Sequence, residues 1–185
     1  MRNFRDFAVE ERLKNGRQVR IRAVYPDDKT AVLNGFRSLS DRSRHTRFFG
    51  SKSDVSDTEL QYYTEVDGIH HAALVAIVED NGNERIIGGG RYMEYDVPER
   101  QGQAEVAFAV ADDFQGLGLA TLLFKCLVRI ARQNGIRTFT AEVLAENSSM
   151  LKVFEHGGVP MERSVDSGIV GVTLDLFQCK DGSSS

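Results

Sequence analysis

Cysteine is scarce in this 185-residue sequence, and long apolar runs are absent from it. The two cysteines, Cys126 and Cys179, are too few for a disulfide framework, and neither stands at a metal-ligand spacing. No apolar stretch approaches membrane-spanning length, and the first sixteen residues are too charged for a signal peptide. We therefore predict a reduced, cytoplasmic protein with no metal site and no membrane attachment.

The net charge is also small. The sequence has 23 basic and 27 acidic residues, which leave a net charge of −4. Nucleic-acid binding through bulk electrostatics is thus not indicated. The length and the hydrophobic fraction of 41% suit one soluble domain with a real core. We predict a single domain over residues 1–178 and a polar, disordered tail over residues 179–185.

Turn and cap signals predict a β-hairpin followed by short helices. Asn15-Gly16 is a strong hairpin signal, and residues 18–23 then alternate between polar and apolar as in a half-buried strand. A helical region is expected over about residues 26–39. A second helix should follow, capped by Ser40 or Asp41. A third should begin at Ser56, with Glu59 completing a capping box.

The second half predicts a mixed α/β domain that contains a strand–helix–strand unit. Three segments with short connections indicate an antiparallel meander, and a nearly all-apolar helix ending at Asn134-Gly135 is expected to be buried. The segments are strands at 70–80, 84–96 and 102–113, the helix at 117–135, a strand at 136–144, a helix at 148–157 and a strand at 169–176.

The helix at 117–135 is preceded by Gln115, Gly116 and Gly118, which indicate either a tight turn or an anion site. A helix N-terminus offers unpaired N–H groups and partial positive charge, and glycine lets a phosphate approach them. The stretch lacks the Lys-Ser/Thr of a P-loop, and Thr121 stands where a dinucleotide fold has its third glycine. Nucleoside triphosphate and NAD sites are therefore disfavoured.

Residues 115–120, Gln-Gly-Leu-Gly-Leu-Ala, resemble the Gln/Arg-x-x-Gly-x-Gly/Ala motif of the GNAT superfamily of N-acetyltransferases. The Asn147 helix, at residues 147–158, resembles a second motif of that family. The resemblance implies an α/β (α+β) GNAT fold, with a mixed, mostly antiparallel twisted sheet, flanking helices and an N-terminal β-hairpin. It also implies acetyl-CoA as co-substrate. The implied cofactor-binding residues are Phe108, Ala109, Val110, Gln115, Gly116, Leu117, Gly118, Leu119, Ala120, Thr121, Asn147, Met150 and Phe154.

The strand at 104–110 further resembles the catalytic domain of Pat-type bacterial protein-lysine acetyltransferases. Its alternation puts Glu105, Ala107 and Ala109 on one face. Taken alone, Glu105 is as readily an exposed glutamate at a strand start. The resemblance instead implies that Glu105 is the general base, which a lysine ammonium with a pKa of about 10.4 requires. It also implies an oxyanion-stabilising backbone N–H near Val110.

Other polar residues admit two interpretations each. Many relatives place a tyrosine general acid where Phe154 stands here, and the nearby His156 is either a proton donor or a solvated helix-end residue. Arg42, Arg44 and Arg47 are interpreted in one of two ways. They bind the CoA 3′-phosphate or an acidic substrate, or they form a solvated helix face. One of Asp112 and Asp113 is a candidate for lysine recognition. His70 and His71 are adjacent and cannot share a metal on a strand.

The sequence thus predicts an acetyl-CoA-dependent N-acetyltransferase that works by direct transfer, with a protein lysine as the preferred acceptor. An acyl-CoA synthetase is one candidate carrier of that lysine. A small-molecule amine is the enzymatic alternative, and a non-catalytic acyl-CoA-binding sensor or regulatory subunit is the alternative from another class. The sequence leaves the oligomeric state and the preferred acyl chain open.

Overall fold

The computed structural model describes residues 4–48, 54–80 and 82–178. Eight strands in these ranges form one sheet: β1 (Ala8–Arg12), β2 (Gln18–Ala23), β3 (His71–Asp80), β4 (Asn83–Glu94), β5 (Gln103–Val110), β6 (Thr138–Leu144), β7 (Met161–Asp166) and β8 (Ile169–Asp175). Their order is β1-β2-β3-β4-β5-β6-β8-β7. All neighbours are antiparallel except β5 and β6, which run parallel. The predicted mixed, mostly antiparallel sheet is therefore confirmed, while the predicted tail over residues 179–185 lies outside the described residues.

Five α-helices flank the sheet in the described part of the chain: α1 (Lys29–Arg37), α2 (Asp41–Phe48), α3 (Asp57–Thr64), α4 (Leu119–Gln133) and α5 (Ser148–Glu155). The largest core cluster joins α4 and α5 to one face of the sheet. Smaller apolar clusters join α1 and α3 to the other face. None of the described helices is long and apolar enough to cross a membrane.

Local signals account for the hairpin and the helix starts. Leu13 and Arg17 close the β1–β2 turn through a 2.9 Å backbone hydrogen bond, with Asn15 and Gly16 between them. Ser56 and Glu59 make the predicted capping box of α3. For α2, Ser40 is the cap, since its Oγ accepts from the Ser43 N–H at 3.2 Å.

The first predicted helix is shorter than expected. Residues 26–28 form a 3₁₀ turn, and α1 itself runs from Lys29 to Arg37. Arg22 of β2 forms a two-pronged ion pair with Asp28, at 2.7 and 2.8 Å, and the Tyr25 N–H also donates to that carboxylate. Asp28 thus anchors the chain to the sheet before the helix begins.

Helix α4 is the buried helix that the sequence predicted. Leu123, Phe124 and Leu127 have no exposed surface, and Cys126 is buried beside them. The burial of Cys126 raises the pKa of its thiol. On β5 the predicted alternation is also confirmed, because alternate side chains face this helix and Glu105 is exposed on the opposite face.

Strand β7 was not predicted. It lies at the edge of the sheet, and its residues after Met161 are exposed, so the apolar alternation that marks a strand is missing. The signal that was overlooked is the Ser167-Gly168 pair, which forms a two-residue turn between Asp166 and Ile169.

Candidate functional site

A cleft opens in the sheet where β5 and β6 separate. Within the described residues the two strands pair from Gln103 to Glu105 and from Thr138 to Thr140, although both strands continue further. A cavity of about 1370 Å³ lies beyond these pairs, bounded by both strands, α5 and the loop before α4. This volume exceeds the roughly 300–1,000 Å³ of typical small-ligand sites, so the cleft suits a long ligand.

The edge of β5 that faces the cleft presents backbone groups. The Ala111 N–H donates to Ile87 O at 2.9 Å, on the side of β4. Because backbone direction alternates along an antiparallel strand, the N–H groups of Phe108 and Val110 point to the cleft side. The Val110 carbonyl accepts a 3.2 Å hydrogen bond from Gln115 Nε2. The cleft edge can therefore donate backbone hydrogen bonds to a ligand.

Glu105 stands at the vertex of the cleft, beside Thr140. The Thr140 hydroxyl is hydrogen-bonded to Tyr95 Oη at 2.8 Å, which fixes this part of the wall. Arg47 of α2 also lines the cleft, close enough for its charge to interact with Glu105. Burial and the nearby Arg91 cation lower the pKa of Arg47 to about 10. Arg47 therefore stays cationic at neutral pH, beside the Glu105 carboxylate.

The loop of residues 115–118 at the start of α4, here called the glycine loop, is shaped for an anion. Gly116 and Gly118 have φ values of +74° and +88°, in the left-handed region that favours glycine. A methyl group on Gly116 would meet no atom within 4 Å, so the space beside the loop is open. The first N–H groups of α4 have no partner within the helix. Together these features fit a diphosphate.

Lys14 reaches the glycine loop from the β1–β2 turn, and sequence reasoning missed it. Its backbone N–H donates to Leu117 O at 3.1 Å. Its Cε would lie 3.5 Å from a methyl group on Gly118, and the residue lines the cleft. Lys14 thus places a cation beside the glycine loop. The available signal was its place beside Asn15-Gly16, but nothing local showed that this turn meets α4.

A hydrogen-bond network joins the glycine loop to α2. Gln115 Nε2 donates to Ser43 Oγ at 2.9 Å. The carboxylate of Asp112 accepts from the Ser40 N–H and from the hydroxyls of Ser40 and Ser43, at 2.7–2.9 Å. Burial opposes ionisation of Asp112, but these hydrogen bonds outweigh it and hold its pKa below the ordinary value. Asp113 is paired with Arg85 at 2.8 Å, so both acidic residues already have partners.

The far wall of the cleft includes α5. Asn147 is the cap of this helix, and its Oδ1 accepts from the Met150 N–H at 3.2 Å. Phe154 is 1% exposed, and its ring packs 5.6 Å from that of Phe124. Asn147, Met150 and Phe154 all line the cleft. The exposed His156 lines it too, and its Nδ1 is 2.8 Å from Lys152 O.

The cleft brings together nearly all of the predicted site residues. Leu117 is the exception, since its side chain packs towards the core. The residues that line the cleft are Glu105, Phe108, Ala109, Val110, Gln115, Gly116, Gly118, Leu119, Ala120, Thr121, Asn147, Met150 and Phe154.

Of the remaining candidate residues from the sequence, some line the cleft and others lie outside it or are paired elsewhere. Arg42 and Arg47 line the cleft, whereas Arg44 pairs with Asp41 at 2.5 Å. His70 pairs with Glu94 outside the cleft. The described residues contain no group of three or more His, Cys, Asp or Glu side chains placed to hold a metal.

Comparison with known proteins gives consistent results. A family model described as the acetyltransferase (GNAT) family matches residues 39–158. The chain is 35% identical over 140 residues to an acetyltransferase of Pseudomonas aeruginosa, covering 76% of this chain and 74% of the relative. It is 30% identical over 172 residues to the acetyltransferase Pat of Mycolicibacterium smegmatis, covering 91% of this chain. The chain spans about half of that relative, 49% of its length.

Solved structures have the same fold. The GNAT domain of S. lividans PAT superposes with a TM-score of 0.81 at 31% identity, covering 91% of this chain and 96% of that chain. The structure of yncA from Salmonella typhimurium with its cofactor acetyl-CoA gives a TM-score of 0.69 at 18% identity, covering 90% and 99%. The second likeness is one of fold alone.

Proposed function

The chain belongs to the acetyltransferase (GNAT) family, and from that premise we propose that it acetylates a protein lysine, with Glu105 as the general base. The observation that carries this proposal is the position of Glu105. Its carboxylate is exposed on the cleft at the point where β5 and β6 separate. A base at that point has access to an amine that enters from the α1–α3 face.

Acetyl-CoA fits the other features of the cleft. The N–H groups of the glycine loop and the Lys14 ammonium would hold the diphosphate. The β5 edge at Phe108 and Val110 would hydrogen-bond the extended pantetheine arm, and Asn147 would flank it from α5. When bound, acetyl-CoA supplies an acetyl group activated as a thioester.

The chemistry requires one proton to be removed before attack. A lysine ammonium has a pKa of about 10.4 and is not nucleophilic until it is deprotonated. Glu105 would accept this proton, a role that contributes about 10²–10⁴-fold in rate. The amine nitrogen then bonds to the acyl carbon and the carbon–sulfur bond breaks. A backbone N–H on the β5 edge would stabilise the negative charge that develops on the acyl oxygen.

The leaving group does not need to be protonated by the protein. A thiol has a pKa of about 8.5, so CoA departs as a thiolate and takes a proton afterwards. Phe154 has no acidic proton to give, and this agrees with a reaction that proceeds without a dedicated general acid. The lysine acceptor is supported by the resemblance to Pat-type enzymes and by the 30% identity to Pat of M. smegmatis.

A thiol-release assay with a panel of acceptors tests the proposal. The panel contains purified acyl-CoA synthetases, lysine peptides and free polyamines, each with acetyl-CoA, and mass spectrometry locates the acetyl group. We expect thiol release that depends on a protein acceptor, with acetyl-lysine as the product. Release with free amines alone would favour a small-molecule acceptor. Tight acetyl-CoA binding with no release for any acceptor would favour a non-catalytic sensor.

A further inference from the structure

A second cavity, of about 150 Å³, lies between α1 and the face of the sheet that carries Glu105. Val32, Gly35 and Phe36 line it from the helix, and Gly89, Ala107 and Ala109 line it from the sheet. Apart from two arginines and one tyrosine, every lining residue is apolar or glycine. The cavity therefore offers an occupant mainly apolar contacts, with the polar groups of Arg47, Arg91 and Tyr63 in its wall.

The cavity exists because both of its walls carry small residues. On the sheet, Gly89 is opposite Ala109, and Ala107 is the next residue along the same face of β5. A methyl group on Gly89 would lie 2.9 Å from Leu74 O, which is too close for a real contact, but it would meet no other atom within 4 Å. On the helix, a methyl group on Gly35 would lie 3.8 Å from Ile86, an ordinary contact. These small residues leave a pocket that is partly open to solvent.

The second cavity borders the cleft. Five residues line both spaces: Leu39, Arg47, Ala107, Phe108 and Ala109. Ala107 and Ala109 alternate with Phe108 and Val110, whose N–H groups point to the cleft edge. Neighbouring strands are about 4.8 Å apart, so the space over Gly89 of β4 begins one strand away from the β5 edge whose N–H groups would hydrogen-bond the acyl oxygen.

We infer that the second cavity holds the hydrocarbon chain of acyl donors longer than acetyl, namely straight-chain acyl-CoA thioesters of about four to six carbons. This inference rests on the proposed function. An apolar cavity of about 150 Å³ is large enough for benzene, so a chain of a few methylene groups fits within it. The reaction is unchanged: the amine nitrogen bonds to the acyl carbon, the carbon–sulfur bond breaks, Glu105 takes the amine proton and the thiolate is protonated by solvent.

The chain of the donor fits this cavity better than the acceptor does. An acceptor amine must reach Glu105, which lines the cleft but does not line the second cavity. A hydrocarbon chain needs no hydrogen-bond partner when it is buried, whereas an ammonium does. The cavity begins at Ala107 and Ala109, beside the backbone groups that would hold the acyl carbonyl.

The test compares acetyl-, propionyl-, butyryl- and hexanoyl-CoA with one acceptor, using the whole chain. We expect KM to fall about fourfold for each methylene group that is buried. Gly35→Leu fills the cavity from α1 and is expected to lower kcat/KM for butyryl- and hexanoyl-CoA at least tenfold, while acetyl-CoA is used as before. Gly35→Ala, which adds one methyl group, and Asn34→Leu, at an exposed position of the same helix, should retain the longer donors.

Measuring donor binding directly tests the chain-length inference without relying on catalytic activity. Calorimetric titration of the same donors, without acceptor, should show butyryl-CoA binding more tightly than acetyl-CoA, and Gly35→Leu should abolish the difference. Equal affinity for all donors, with acetyl transfer intact, would overturn the chain-length inference alone. Absence of transfer with every donor would overturn the proposed function. An equal rise in acceptor KM for all donors in Gly35→Leu would assign the cavity to the acceptor instead.

Discussion

Glu105 and Thr140 are the last residues in register between β5 and β6, and beyond this pair the two strands separate. The register of the sheet therefore decides where the carboxylate stands relative to the cleft. The Tyr95 hydroxyl is hydrogen-bonded to the Thr140 hydroxyl at 2.8 Å, which links this corner to the segment after β4. A side chain placed by strand register is more precise than one placed by a loop, which suits a proton acceptor.

Replacing the carboxylate by an amide tests the role of Glu105. We expect Glu105→Gln to lower kcat about 10²–10⁴-fold, because the amide cannot accept the amine proton. The KM for acetyl-CoA should change little, since the diphosphate contacts are elsewhere. Steady-state kinetics over a range of pH measures both values. Glu142→Gln, at another exposed glutamate that lines the cleft, is the matched control, and an equal loss in both variants would argue against a specific base.

A side chain in the glycine loop should weaken donor binding. Gly116→Ala puts a methyl group into the open space beside the loop and strains a residue with φ of +74°, at about 1–2 kcal/mol. We expect the Kd of acetyl-CoA to rise about tenfold, measured by calorimetry. Gly135→Ala, at φ of +82° beyond the far end of α4, carries the same backbone strain and should leave the Kd unchanged. Similar losses in both would show that strain alone is responsible.

Lys14 should contribute charge to donor binding. We expect Lys14→Ala to raise the KM for acetyl-CoA about three- to tenfold, and to make KM less sensitive to salt, because an exposed cation is screened by ions. Lys14→Arg should preserve most of the affinity. Lys125→Ala, at an exposed lysine on α4, serves as the control. A salt dependence that is identical in wild type and Lys14→Ala would exclude contact with the diphosphate.

Sequence patterns predicted the features that depend on neighbouring residues. The capping box at Ser56 and the alternation on β5 both involve contacts within a few residues, so they can be seen in the sequence. The face on which Glu105 lies followed from that alternation. Its proposed role did not, because a glutamate at a strand start has no signal that separates a base from an exposed residue.

Features that depend on distant segments were not predictable. Lys14 meets the glycine loop only because the β1–β2 turn packs beside α4. The space between α1 and the sheet depends on Gly35 and on Ala107, which are far apart in the sequence. Edge strand β7 lacks a buried face, so its sequence shows no alternation of polar and apolar residues.

Packing beside α5 provides a stability test. A methyl group on Gly157 would lie 2.1 Å from Cε1 of Phe124, which is fully buried. We expect Gly157→Ala to lower the free energy of unfolding by about 1–3 kcal/mol, measured by urea denaturation. Phe124→Leu removes the colliding ring atom, so the double variant should be more stable than the sum of the two single changes predicts. Strict additivity would contradict the assigned collision.

Two adjacent histidines should affect stability with opposite pH dependence. Burial and the Arg91 cation lower the pKa of His71 to about 4, against an ordinary value of 6.5. The unfolded chain therefore binds this proton more readily, and stability falls as pH drops from about 6.5 to about 4. The hydrogen bond that His70 donates to the Glu94 carboxylate raises the pKa of His70, so its contribution is present at low pH and is lost as pH rises through the raised value.

Urea denaturation between about pH 4 and pH 8 separates the two groups. We expect His71→Gln to reduce the loss of stability on the acid side. His70→Gln should instead remove a stabilising contribution at low pH, which makes the acid loss steeper. An unchanged pH dependence in His71→Gln would show that this imidazole is not kept neutral by its surroundings.

The short pairing between β5 and β6 has a thermodynamic consequence. In the described residues, three pairs join strands β1–β5 to strands β6–β8. A donor lying in the cleft would contact both groups of strands and supply hydrogen bonds that the separated strands no longer exchange. Because such a ligand binds the folded chain alone, the melting temperature should rise with its concentration. The co-substrate would then stabilise the contact between strands β1–β5 and strands β6–β8, and this stabilisation would be lost when it leaves.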